Sequence, residues 1–181
     1  ASVSEVTWST LVPATTIPAG TDLNTYFENN PITSGKDVEV AYELEAGGSY
    51  TISGDLNLGV NNVQLRGNKV NHAKVTFTGS GAIVSSGGGM ALKFIDFDCD
   101  VVSKGSFVKF GDVPEEIKGM NSYGIVTNPM IIQSCEIRNV RHYLVNINGK
   151  KYAIQNFIVR DCLIKFYQDA EIFNFNSNNS F

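Results

Sequence analysis

The sequence predicts an all-β solenoid of stacked parallel coils, and three observations predict it. The phrase "MIIQSCEIRNV", Met130 to Val140, returns as "FIVRDCLIKFY", Phe157 to Tyr167, with Ile132 and Val159, Cys135 and Cys162, and Ile137 and Ile164 each 27 residues apart. A second phrase follows each copy, "YLVNINGK" from Tyr143 and "EIFNFNSN" from Glu171, with Val145 and Phe173 at a spacing of 28. Short runs of Val, Ile and Phe alternate with turns such as "SGDLN", "TGSG" and "SSGGG", and 17 glycines are available for corners that other residues resist. Two motifs in fixed order at one period mark a repeat. The chain shows neither a leucine-asparagine signature nor a 3.6-residue period, so leucine-rich and helical repeats do not fit. Three short strands and three turns per coil, stacked about 4.8 Å apart on a shared core, do fit.

The elements follow in order. Residues 1–16, "ASVSEVTWSTLVPATT", read as a leading β-arm or as the last strand and linker of a preceding sandwich domain. In "AGTDLNTYFENNP", Thr21 or Asp22 can cap a short helix, Leu23, Tyr26 and Phe27 fall on one face, and Pro31 stops it. Such a helix can cover the open end of a solenoid, which would otherwise be a sticky edge. "NVQLRGN" reads as an early copy of the first phrase, with Val63 placed 29 before Leu92, and "GAIVSS" around Ile83 as an early copy of the second. "ALKFIDFDCD" sets Leu92 40 before Ile132, and "SFVKFGD" sets Val108 37 before Val145. Both spacings exceed the period and straddle Gly111 to Pro129, so residues 111–129 read as one inserted loop in a domain of residues 17–181. From Tyr50 to Asn176 there is room for about four to five coils.

Composition sets limits. The 181-residue chain is 43% hydrophobic, enough for one core, and its net charge of −4 with scattered basic residues marks no nucleic-acid or polybasic membrane surface. No apolar run approaches the roughly 20 residues that span a bilayer. Ala1 is not followed by a charged and then apolar leader pattern, so a signal peptide is expected to be removed or absent.

The passage "IPAGTDLNTYF", followed by "YELEAGGSYTISGDLNLGVNNVQLRGN", resembles the opening of pectin-lyase-like right-handed parallel β-helix proteins. There, too, a capping helix precedes a strand and a first coil. Within that superfamily the chain looks most like exported bacterial domains of unknown function that accompany surface polysaccharide utilisation, and the likeness covers Ile17 to Asn176. It implies a right-handed parallel β-helix, secreted or held at the cell surface, with a glycan as partner and with further domains or a partner at one or both ends. It does not fix an activity, because the superfamily includes lyases, hydrolases, adhesins and non-catalytic stalks.

Candidate sites follow from alternation. On a strand, Asp96, Asp98 and Asp100 of "DFDCD" share one face about 6.6–7 Å apart. In the resembled lyases such carboxylates hold Ca²⁺, a hard cation suited to oxygen ligands. The repeat instead places Asp98 beside Arg138 and then Lys165, and Lys93 beside Gln133 and Arg160. That reads as a self-neutralising charge ladder, in which Asp98 is answered by cations on the following coils. A catalytic reading nominates Arg138 as a base, or Asp96 with Glu136 as an acid pair. His72 and His142 are not at ligand spacing, and no phosphate loop, nucleophile elbow or zinc motif occurs. Cys135 and Cys162 stack within disulfide range, but parallel side chains favour free buried thiols, with Cys99 interior as well. Asn146 and Asn148 align with Asn174 and Asn176 as amide ladders. In the inserted loop, Met120, Asn121 and Tyr123 offer an aromatic beside an amide for a sugar ring, unless the loop merely packs on the barrel. The expectation is a non-catalytic glycan-associated or structural module without a cofactor, Ca²⁺ being the one candidate. The alternatives are a lyase or hydrolase of an acidic polysaccharide, and an adhesin-type stalk.

Overall fold

The structure is a computed structural model, and it describes residues 12–99, 105–147, 149–167 and 170–174. In chain order the elements are β1 (Ala14–Ile17), α1 (Leu23–Asn29), β2 (Glu39–Leu44), β3 (Ser49–Ile52), β4 (Leu56–Gly59), β5 (Asn62–Arg66), β6 (Ala73–Phe77), β7 (Ile83–Ser85), β8 (Met90–Lys93) and β9 (Ile95–Asp98). They continue with β10 (Val108–Phe110), β11 (Gly124–Val126), β12 (Met130–Gln133), β13 (Glu136–Val140), β14 (Tyr143–Asn146), β15 (Tyr152–Ile154), β16 (Phe157–Arg160), β17 (Leu163–Phe166) and β18 (Glu171–Asn174). Three sheets wrap one core: β1-β2-β5-β8-β12-β16, β3-β6-β9-β13-β17 and β4-β7-β10-β14-β18, with β11-β15 as a further pair. All named strand pairs are parallel, and the chain forms a right-handed parallel β-helix of about 6 turns.

The repeat seen in the sequence is the register of the coils. Ile132 pairs with Val159, Ile137 with Ile164, Val145 with Phe173, Leu92 with Ile132 and Val108 with Val145. Ile132, Ile137 and Val145 are fully buried, whereas Val159 and Phe173 of the last coil keep 38% and 40% of their surface exposed. Two expectations need correction. Val63 pairs with Met90, and it is Leu65 that pairs with Leu92. A slip of two residues keeps every side chain on its face, so hydrophobic patterning cannot detect it. The solenoid also begins before Tyr50, because β1 and β2 already stack in register, Ile17 upon Leu44. Their sequences, ATTI and EVAYEL, echo neither phrase.

Glycine does not make every corner. Phe94, Ser134 and Asp161 adopt φ of 58°, 51° and 53°, and they follow Lys93, Gln133 and Arg160, which stack in register. The backbone ladder continues through this corner: the Phe94 N–H donates to Gln133 O at 3.2 Å and the Ser134 N–H to Arg160 O at 3.1 Å. Hydrogen bonds to the next coil hold non-glycine residues in a conformation they seldom adopt alone.

The helix forms as the sequence predicts, with Asp22 as its cap. The Asp22 carboxylate accepts hydrogen bonds from the Thr25 N–H and from the hydroxyls of Thr25, Thr51 and Ser53. It thereby fastens α1 to the first coil. Below it, Tyr50 donates its hydroxyl hydrogen to Ile17 O at 2.6 Å and accepts from the Glu45 N–H at 2.8 Å. Partial burial opposes the Asp22 charge, but the hydrogen bonds from Thr51, Ser53 and Thr25 outweigh it and hold the carboxyl below its ordinary value. The cap therefore stabilises the fold above the unfolded carboxyl pKa of about 3.9, and that stabilisation is lost as pH falls through the lower folded value. Asp22→Ala is expected to cost about 1–2 kcal/mol at neutral pH. The gap in melting temperature between wild type and variant should narrow below about pH 4. A gap that stays constant down to pH 2 would show that the carboxylate charge contributes nothing.

The segment read as an insertion folds against the barrel. Two short 3-10 turns, Glu115–Ile117 and Met120–Ser122, lead into β11, which pairs with β15. Ile117 and Val126 are buried, and the Tyr152 hydroxyl donates to Gly111 O at 2.8 Å. Residues 1–11, most of the expected leading arm, lie outside the described residues.

Candidate functional site

The outer face of the β3-β6-β9-β13-β17 sheet gathers the acidic candidates. Asp96 is in register with Glu136, and Asp98 with Arg138, while Phe97 and Ile137 point into the core between them. The carboxylates are divided among neighbouring polar side chains. Arg138 lies 3.8 Å from Asp98 and 3.8 Å from Glu136. Asn139 donates to Asp98 at 3.0 Å, and His72 Nδ1 stands 2.9 Å from an Asp96 oxygen. Lys165 departs from the expected ladder. The register shifts between Ile137 and Val140, where Asn139 has φ 60°, and the Lys165 ammonium reaches Glu136 at 3.7 Å. Asp100 lies outside the described residues. Among the described residues, no three His, Cys, Asp or Glu side chains converge in a geometry that holds a metal ion.

The Arg138 and Lys165 pairs are long and partly exposed, a setting in which each contributes well under about 1 kcal/mol. Asp98→Asn is therefore expected to lower stability by less than about 0.5 kcal/mol. Calorimetry with Ca²⁺ should give the same flat trace for wild type and variant. Micromolar Ca²⁺ binding by the wild type that vanishes in Asp98→Asn would instead establish a metal site on this face.

The histidine beside Asp96 was not legible. His72 sits in the long turn between β5 and β6, outside either repeated phrase, so no spacing linked it to Asp96. Cys99 and Cys135 are buried core thiols as expected, whereas Cys162, on the last coil, is only half-buried. Cys99, Cys135 and Cys162 are free, and burial pushes Cys99 and Cys135 up to about 12. Cys135 Sγ donates to Leu92 O at 3.5 Å, and Cys162 Sγ repeats the contact one coil on, to Ile132 O at 3.4 Å. Each sulfur also lies near a carbonyl of its own coil, Gln133 O at 3.3 Å and Arg160 O at 3.2 Å, so both thiols are engaged by backbone carbonyls.

Met120, Asn121 and Tyr123 share one tight turn. Met120 is 86% exposed, Asn121 is exposed at φ 60°, and Tyr123 is half-buried. The aromatic is therefore tucked against the fold, and Met120 is the most prominent of the three.

A further surface emerges on the β4-β7-β10-β14-β18 sheet. Asn57, Val84, Lys109 and Asn146 stack in register and face outward, with Ile83, Val108 and Val145 inward. The row extends to Asn174, whose amide donates to Asn146 at 3.3 Å, forming one of the expected amide ladders; Asn148 and Asn176 lie outside the described residues. Over Val84 runs a groove of about 320 Å³, bordered by Asp55 and Lys109, which pair at 2.7 Å, and by Asp112 and Lys150, also an ion pair. Lys150 holds the Asp112 carboxyl below its ordinary value, by a hydrogen bond first and by its charge second. A second hollow of about 230 Å³ shares Asp55 and continues toward α1, past Asn57 to Phe27 and Glu28. The second phrase held the signal for this surface. Its middle position, one residue after Val108 and Val145, is polar in Lys109 and Asn146.

No curated protein and no solved structure matches the chain. A family model does: residues 48–181 match the domain of unknown function DUF4957, and the chain belongs to that family.

Proposed function

We propose that this chain is a non-catalytic module of an exported, cell-surface protein, and that it associates with glycan. The observation that carries the reading is the groove on the β4-β7-β10-β14 face. It places amides, carboxylates and ammonium groups in rows along the cylinder, the mixture of donors and acceptors that a carbohydrate requires. The resemblance to pectin-lyase-like domains of surface polysaccharide systems supports the exported setting. A second reading is a lyase or hydrolase acting on an acidic polysaccharide. Its support is that Asp96, Glu136 and Arg138 do share one face. Arg138, the nominated base, is shared between Asp98 and Glu136 at 3.8 Å each, and this favours the first reading.

A glycan array probed with the purified chain, together with an absorbance assay for unsaturated uronate ends and a reducing-end assay on polyuronates, separates the two. Glycan binding without new chain ends is the expected result. Product formation that Arg138→Ala or Glu136→Gln abolishes would establish the enzyme.

A further inference from the structure

The groove also carries information about the class of glycan. We propose that it binds an uncharged, hydroxyl-rich polysaccharide segment laid along the solenoid axis, across Asn57, Val84, Lys109 and Asn146; this rests on the glycan-associated reading above.

Three features point to that ligand. The first is charge. Both ammonium groups are matched, Lys109 by Asp55 and Lys150 by Asp112, and Glu28 in the adjoining hollow adds a third carboxylate. Three carboxylates against two ammoniums leave the lining at −1. A polyuronate would bring its charges to a surface with no cation to spare, whereas sugar hydroxyls both donate and accept and can serve carboxylate, ammonium and amide alike.

The second feature is repetition. The four residues stand on successive coils in strict register, so equivalent positions recur about every 4.8 Å along the axis. That step is close to the repeat of an extended pyranose chain, so successive sugar units would meet successive coils in similar settings. The third is the floor. Val84 lies at the base of the groove, and with 6% of its surface exposed it gives a small apolar floor between polar rims. The C–H face of a pyranose ring needs such a contact.

The test is calorimetric titration of the whole chain with cellohexaose, xylohexaose and mannohexaose, with hexagalacturonate as the charged counterpart. Lys109→Met and Asn146→Trp are the variants, the first removing the ammonium but keeping its stem, the second filling the groove. Melting curves accompany each titration, and if Asn146→Trp does not fold, Lys109→Met carries the test. The expected result is binding of at least one neutral hexaose that weakens at least tenfold in each folded variant. Tighter binding of hexagalacturonate, lost in the same variants, would overturn the neutral class while leaving a glycan module. Hexaose binding that both variants retain would overturn the groove and again leave the module. Failure of every hexaose to bind at millimolar concentration would overturn the groove and the glycan-associated reading together.

Discussion

Ile137→Asp is expected to abolish soluble folded protein. Ile137 is fully buried, stacked between Phe97 of the preceding coil and Ile164 of the next. Among the described residues no buried Lys or Arg is present to pair with a carboxylate there, and burying it uncompensated costs several kcal/mol, about the whole stability of a domain of this size. Val159→Asp is the internal control. Val159 belongs to another inward row, that of Leu92 and Ile132, but is 38% exposed, so its carboxylate can stay hydrated. The first variant should appear only in the insoluble fraction, and the second should remain soluble with a lowered melting temperature. Equal solubility of the two would mean that the inward face has been misassigned.

Phe97→Ala should be the next most damaging change. Phe97 is fully buried and meets Phe107 at a ring-centroid distance of 4.8 Å and Phe77 at 6.4 Å, while Phe77 and Phe107 are themselves 5.9 Å apart. The three rings come from different places in the coils and fill the middle of the cylinder. Removing the central one leaves a cavity that rigid flanking strands cannot close, with an expected loss of about 3–5 kcal/mol. Denaturant unfolding monitored by circular dichroism measures it. A loss below about 1 kcal/mol would mean that the coils relax inward, against the close packing of parallel sheets.

The parts of the fold that were legible are those where one residue must sit upon its own counterpart. From Met130 to Asn174 the core positions repeat because each coil's inward residues fill the same cross-section, so Ile132 and Val159 or Val145 and Phe173 declare their register directly. The reading failed where that constraint lapses. Val63 slipped by two residues because either register buries the same face. The corner at Phe94, Ser134 and Asp161 was invisible because its positive φ is held by hydrogen bonds from other coils and not by glycine. Lys165 reaches Glu136 because alignment fixes a backbone position and not the direction in which a long outward side chain leans. Outward residues are constrained least of all. The association of His72 with Asp96 and the groove above Val84 depend on turns and coils distant in sequence, and no repeat phrase encodes them.

The constancy of the coil length has a further consequence, for how the chain reaches this state. Ser49 pairs with Lys74, 25 residues on; Ile132 pairs with Val159, 27 on; and the widest step between paired strands, Leu92 to Ile132, is 40. Among the described residues every named strand pair is parallel and joins positions about one coil apart, so the first productive pairing of core strands is the closure of a loop of one whole coil. Closure entropy grows only with the logarithm of loop length, and the longer step costs about 0.3 kcal/mol more than a 27-residue one. Nucleation should therefore be almost as accessible across the segment of residues 111–129 as elsewhere, and slow everywhere relative to helical proteins. Once two coils have met, each further coil adds to a formed template, so the barrier belongs to the first turn and growth proceeds outward from it.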